Sequence, residues 1–212
     1  MPEITSLTGF ILAALVVLLI PGPGVIYILL RSLEQGLRAG LPSVLGLPLG
    51  ALVHVFAASF GLCAILLASA TAFSTIKLLG AAYLIYLGIR KISAPPVLAL
   101  TEIENSHSLF RVFCDGIIVS VLNPKIAIFL LAFLPQFIDL GDSNISQQVF
   151  VLGLIYVGLA LITDSAYALF AGRSKGFISS HFLQGRLPNY ISGTVYAGLG
   201  LGTALAVPLN KS

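Results

Sequence analysis

Six runs almost free of charge, roughly 7–30, 42–68, 72–90, 111–136, 148–172 and 188–208, alternate with short polar stretches along the chain. Each run is close to or above the ~20 apolar residues that an α-helix needs to cross a bilayer, so the pattern predicts six transmembrane helices joined by short loops. The second and third runs are the hardest to divide, because no Asp, Glu, Lys or Arg occurs between Ala39 and Ile76. The cluster of small and polar residues at Ser69–Ser74 is the expected turn, and five spans with one re-entrant segment is the alternative. Ser93–Ser108, with Pro95-Pro96, Glu102, Glu104 and Asn105, breaks the pattern near mid-chain and predicts a linker at the membrane surface.

That linker leaves three spans in 1–92 and three in 109–212. With 93–108 between them, the halves have opposite orientations, the arrangement of an inverted repeat. The first span of each half carries an interruption. Leu19-Ile20-Pro21-Gly22-Pro23-Gly24 breaks the first, and Leu122-Asn123-Pro124-Lys125 breaks the fourth. Proline removes a backbone donor and clashes with the preceding turn, so each helix should open or kink there. Backbone freed at depth needs a partner helix, water or a ligand, and is tolerated mainly where it lines a cavity. An amino acid suits such a place: half-helix N-termini can meet its carboxylate and free carbonyls its ammonium group. A kink that only shapes packing is the alternative.

Composition changes this picture by exclusion. At 58% hydrophobic and 9% charged, with mean hydropathy +1.04, the chain has too little polar surface for a water-soluble globule. Its 212 residues leave no room for a separate soluble domain beside six spans. The eleven Lys and Arg residues lie in twos and threes at segment ends, which signals topology and argues against a nucleic-acid partner. Arg31, Arg38, Arg90, Lys91, Arg111, Arg173, Lys175 and Arg186 flank the first, third and fifth loops, and only Lys211 lies on the other side. Both termini are therefore expected outside, in a bacterial inner membrane. The opening apolar run has Glu3 and no preceding basic residue, and no small-residue cleavage site follows, so it is expected to be retained as a span.

Four ionisable side chains interrupt the spans: His54, Asp115, Lys125 and Asp164. Each needs a partner, a wet cavity or a neutral form. Asp164, about 16 residues into the fifth run, is too deep to reach the interface. It can carry a proton, pair with a substrate ammonium, or form a purely structural ion pair with Lys125. His54 can relay protons or simply hydrogen-bond within the packing. Asp115 and Lys77 lie near span ends and are expected to snorkel. Glycine pairs at four-residue spacing, Gly36/Gly40, Gly46/Gly50 and Gly198/Gly202, predict close helix packing within or between chains. Tyr83, Tyr86, Tyr156 and Tyr167 are interface anchors or pocket walls. Cys63 and Cys114 show no metal or redox spacing and are expected to pack. No cofactor motif is present, and neither Gly-x-Ser-x-Gly nor His-Glu-x-x-His occurs, which argues against a membrane enzyme.

Several of these motifs together resemble the LysE/RhtB family of amino-acid exporters. Pro21-Gly22-Pro23-Gly24, Gly36-x-x-x-Gly40-Leu41, Leu45-Gly46 and His54 are similar to its opening signature. Leu79 to Ile89 resembles its third helix, and Leu122-Asn123-Pro124-Lys125 with Phe133-Leu134-Pro135-Gln136-Phe137 resembles its fourth. The resemblance spans nearly the whole chain and implies proton- or potential-driven efflux of an amino acid such as lysine, threonine, homoserine or leucine. It places Pro21, Gly22 and Pro23 at one helix break, Asn123, Pro124 and Lys125 at the other, and Asp164 at an acidic position in the fifth span. Gly24 departs from the pattern, in which Asn or Asp commonly follows Pro-Gly-Pro. Members of the wider superfamily move heavy-metal cations, but the chain lacks the Cys/His/carboxylate cluster a soft cation requires. Efflux of another cation or metabolite, or passive flow through a channel, are the alternatives, and homo-oligomers are compatible with the glycine faces.

Overall fold

The computed structural model describes residues 4–68, 70–94, 108–139, 144–173 and 187–205, and within them the chain is helical throughout, with no strand. The elements are α1 (Ile4–Leu19), α2 (Pro23–Gln35), α3 (Leu37–Ala68), α4 (Ala70–Ser93), α5 (Leu109–Val121), α6 (Pro124–Ile128), α7 (Ile145–Arg173) and α8 (Leu187–Leu205). After α6 the chain passes into a π turn, Phe129–Phe133, and a 3-10 turn, Leu134–Phe137.

Both predicted interruptions are real. The axes on either side turn by 51° between Ser6–Leu19 and Pro23–Leu33, and by 43° between Leu109–Val121 and Pro124–Phe137. Each joined pair is long and apolar enough to cross a membrane, as are Leu37–Gly61 and Ile145–Arg173 by themselves. The chain is thus a multi-pass helical protein with four crossings of that kind among the described residues. α4 and α8 pack on each other along their length.

Three expected boundaries shift. The first span continues to Gln35, where Gly36 at φ 76° makes the corner into α3, a backbone region that side-chain-bearing residues rarely enter. α3 begins at Leu37 instead of residue 42 and carries Pro42 and Pro48 inside it. A membrane helix tolerates such prolines when neighbouring helices re-satisfy the freed groups. Ala70–Ser74, expected in a turn, are the first residues of α4. Small hydroxyl residues can bond back to the preceding helical turn, so in an apolar stretch they need not end a helix. Most of the linker, residues 95–107, lies outside the described residues, as do Asp142, Lys175, Arg186, Lys211 and the side chains of Cys63 and Lys77.

The surface is the reverse of a soluble protein's. Phe60, Phe110, Leu122 and Ile162 are exposed, whereas Ser43, Ser59, Ser120, Asn123, Lys125, Thr163 and Asp164 are buried. Where lipid is as apolar as leucine, helices associate through close packing and internal polar contacts. Glycine supplies the closeness. A Cβ on Gly50 would lie 2.5 Å from the Ile117 carbonyl oxygen, and one on Gly46 would overlap the Phe113 carbonyl, so α3 and α5 run backbone to backbone. Gly40 likewise faces Ser32 and Ala168. Gly198 and Gly202 have nothing within 4 Å of a Cβ and face outward from α8. The core between α1, α3, α6 and α7 is built on Phe10, Phe129, Leu130, Leu152 and Tyr156. Its rings stack, Phe129 on Tyr156 at 5.2 Å between centroids.

Candidate functional site

The two breaks meet. α1 ends at Leu19, and the Val17 and Leu19 carbonyls lose their usual i+4 donors because Pro21 and Pro23 have no N–H, Val17 O accepting only the Ile20 amide of the last turn at 3.2 Å. Lys125, in the second break, sends its ammonium group across to this end: Nζ donates to the Val17 carbonyl at 3.2 Å and to the Ile20 carbonyl at 3.1 Å. The Tyr167 hydroxyl, from α7, donates to the Leu19 carbonyl at 2.9 Å. A helix C-terminus carries partial negative charge, so a buried ammonium there gains both hydrogen bonds and the local dipole. Lys125 can reach this place because residue 22 is glycine: a Cβ there would stand 3.1 Å from Nζ and 3.3 Å from Cε.

Both breaks restart in the same way, with a cap residue in extended conformation followed by proline at the first helical position, Gly22-Pro23 for α2 and Asn123-Pro124 for α6. The caps differ in chemistry. Asn123 Oδ1 accepts from the Lys125 amide at 3.1 Å, whereas Gly22 has no side chain to offer. The Asn123 cap thereby fixes the backbone from which Lys125 projects. Losing an N-cap costs about 1 kcal/mol. Asn123→Ala is therefore expected to lower the melting temperature in detergent by roughly 2–4 °C, while Asn123→Ser, which keeps a neutral capping oxygen, should leave it unchanged.

Two cavities adjoin the breaks, and Asn123 and Lys125 line both. One, of about 200 Å³, is formed by Pro21, Gly22, Pro23 and Pro124 with Leu87, Arg90, Lys91 and Ala94 of α4. The other, of about 30 Å³, lies deeper, among Gly24, Pro48, Ser120, Tyr156 and Asp164. That is about the space of one water molecule beside a carboxyl group. Asp164 is 7% exposed and Lys125 6% exposed. They line the same chamber without an ion pair between them, so the Lys125–Asp164 bridge weighed from the sequence is absent: the ammonium group is taken by the α1 carbonyls. No protein group among the described residues hydrogen-bonds the Asp164 carboxyl. The Ser120 hydroxyl, in the same wall, is buried and also has no partner.

His54 stands outside this chamber. Its Nε2 donates to the Ser120 carbonyl at 3.1 Å, tying α3 to α5 just before the second break. The same carbonyl accepts the Asn123 amide at 3.0 Å. Asp115 is half-buried on α5, away from both cavities. The sequence reading passed over Ser120 and left Tyr167 open. Tyr167 follows Asp164 by three residues on α7 and so shares a helix face with it, whereas Ser120 and Asn123 lie on either side of the second break, where spacing gives no such signal.

A helical membrane protein that buries a lysine and an aspartate, Lys125 and Asp164, where two broken helices face each other has the make-up of a transporter. Comparison gives the particular family. Residues 15–206 match the LysE type translocator family, and the chain belongs to it. It is 32% identical over 198 residues to an uncharacterized membrane protein of Vibrio cholerae, covering 93% of this chain and 96% of that one. It is 30% identical over 210 residues to the uncharacterized membrane protein YrhP of Bacillus subtilis, covering 95% and 99%. It is also 32% identical over 170 residues to a homoserine/homoserine lactone efflux protein of Salmonella typhimurium, covering 80% and 82%. No solved structure gives a significant match. The family resemblance seen in the motifs is therefore correct, and the family is one of translocators.

Proposed function

We propose that the protein is a secondary transporter of the bacterial inner membrane that exports an amino acid or related small zwitterion, with proton coupling at Asp164. The observation that carries this reading is the burial of Lys125 and Asp164 around one chamber between two helix breaks. Opposite charges beside two helix breaks can meet the two ends of a zwitterion once the chamber widens from its present one-water volume. The naming of Salmonella relatives as homoserine/homoserine lactone efflux proteins makes homoserine the first cargo to try.

Six spans in two inverted repeats, 1–92 and 109–212 joined by 93–108, are part of the proposal. The matched cap-proline restarts support it, as does pairing between equivalent helices, α3 with α7 and α4 with α8. The larger cavity sits beside Arg90 and Lys91 at the end of α4. By the positive-inside rule that end is cytoplasmic and both termini are outside. Beyond the Asp164 chamber, Val55, Leu130, Leu152 and Tyr156 close the interior. A separate cavity of about 510 Å³, among Phe56, Ser59, Phe60 and Phe150, lies on the far side of that core. An access path from the basic side, a seal, and a second opening form the layout of alternating access.

Counterflow in proteoliposomes tests the reading. Labelled homoserine should exchange with an internal unlabelled pool, and an imposed proton gradient should concentrate it until a protonophore is added. Flow that only equilibrates would identify a channel instead.

A further inference from the structure

Two carbonyls at the first break, those of the buried residues Val17 and Ile20, are already held by an ammonium group. Val17 and Ile20 both accept from Lys125 Nζ, at 3.2 and 3.1 Å, from a residue more than a hundred positions away in sequence. The side chain that makes this contact lines both cavities together with Asn123, the one beside Arg90 and Lys91 and the one containing Asp164. The stem lies against Gly22, where a Cβ would be 3.4 Å from Cδ, 3.3 Å from Cε and 3.1 Å from Nζ. A primary ammonium group on a flexible stem thus occupies a cradle of two carbonyl oxygens at the border of both cavities.

We propose that Val17 O and Ile20 O are the subsite for the substrate's ammonium group, and that Lys125 is its internal occupant, which a substrate must displace. The inference deepens the export reading above and rests on it. A zwitterion makes the exchange even: its ammonium group takes the two carbonyls, and its carboxylate receives the released Lys125 ammonium. No bond is broken and no charge is left alone. The exchange completes only for a ligand that brings a cation to the cradle and an anion to Lys125. An amine without a carboxylate can fill the cradle, but it strands the lysine. Selectivity for small amino acids then comes from this swap, with the carbonyls reading the ammonium end and Lys125 the carboxylate end.

Homoserine and homoserine lactone are the probes, because both carry a primary ammonium group and only homoserine has a free carboxylate. The full-length protein is reconstituted as wild type, Lys125→Met and Gly22→Ala, each first shown to melt cooperatively in detergent, and the half-saturation concentration for counterflow is measured for both compounds. In Lys125→Met, the value for homoserine should rise tenfold or more, while that for the lactone should fall at least threefold, because no internal ammonium competes for the cradle. A parallel loss for both compounds, or no change in either, would overturn the proposal and leave Lys125 as a packing group. Gly22→Ala, at φ −102° and so without backbone strain, covers the case in which Lys125→Met does not fold. The added methyl crowds Nζ while the positive charge remains, so the lactone value should fall, and the ratio of the lactone to the homoserine value should fall at least threefold. An unchanged lactone value overturns the proposal. Absence of counterflow for both compounds in the wild type is a different result, which removes the amino-acid export reading itself.

Discussion

Asp164→Asn is expected to reduce homoserine counterflow by at least tenfold while expression and melting temperature stay the same or rise. The substitution keeps the shape of the side chain and removes its charge. No protein hydrogen bond is lost, because the described residues give Asp164 none, and a carboxylate at membrane depth costs about 2.5–3.5 kcal/mol on insertion scales. A group that lowers stability where it sits must be retained for something other than stability. Parallel assays of transport and of detergent melting separate the two readings. Normal transport in the variant would remove Asp164 from the mechanism, and a large drop in melting temperature would show that the carboxylate holds the fold.

Gly50→Leu is expected to be the most destabilising single change in the α3–α5 interface. A Cβ at residue 50 meets the Ile117 carbonyl oxygen at 2.5 Å and Ser120 Cβ at 2.6 Å. One of these is backbone, so the helices themselves must part. Overpacking of this kind costs about 1–3 kcal/mol even where side chains can adjust. Parting α3 from α5 also stretches the His54 bond to the Ser120 carbonyl and moves the second break. Gly198→Leu is the matched control, since nothing lies within 4 Å of a Cβ there. The yield of monodisperse protein should collapse for the first variant and hold for the second. Equal losses would mean that the close approach of α3 and α5 is not what stabilises the fold.

The breaks were legible in the sequence because proline and glycine act on their own backbone. Pro21, Pro23 and Pro124 impose their effect within one turn, whatever packs around them. Asp164 was legible by depth alone. Lys125 was flagged as a buried charge, but its partner was not, because hydrogen bonds to the Val17 and Ile20 carbonyls leave no trace in residue types: any residue has a carbonyl. The sequence therefore kept an Asp164–Lys125 ion pair open, and the fold chose backbone acceptors over the carboxylate. The expected turn at Ser69–Ser74 falls where α3 gives way to α4 but is shorter than expected, since α4 already begins at Ala70. Serine and threonine mark turns in water, where their hydroxyls compete with the helix, whereas in apolar surroundings the helix is the cheaper way to satisfy the backbone. Of the three glycine pairs, Gly46/Gly50 faces a neighbouring helix and Gly198/Gly202 faces outward, a difference that spacing alone does not encode.

The cap that Lys125 places on α1 also has a history within each molecule's lifetime. The Val17 and Ile20 carbonyls leave the ribosome 108 and 105 residues ahead of the side chain that will hold them. At the usual 5–20 residues per second, the broken end of the first helix waits roughly 5 to 20 seconds for its partner. Through that interval the unsatisfied carbonyls favour water over lipid. The first helix pair is then a nascent segment held near the edge of the bilayer or inside the insertion machinery, and its final seating is a late event, set by the arrival of one lysine.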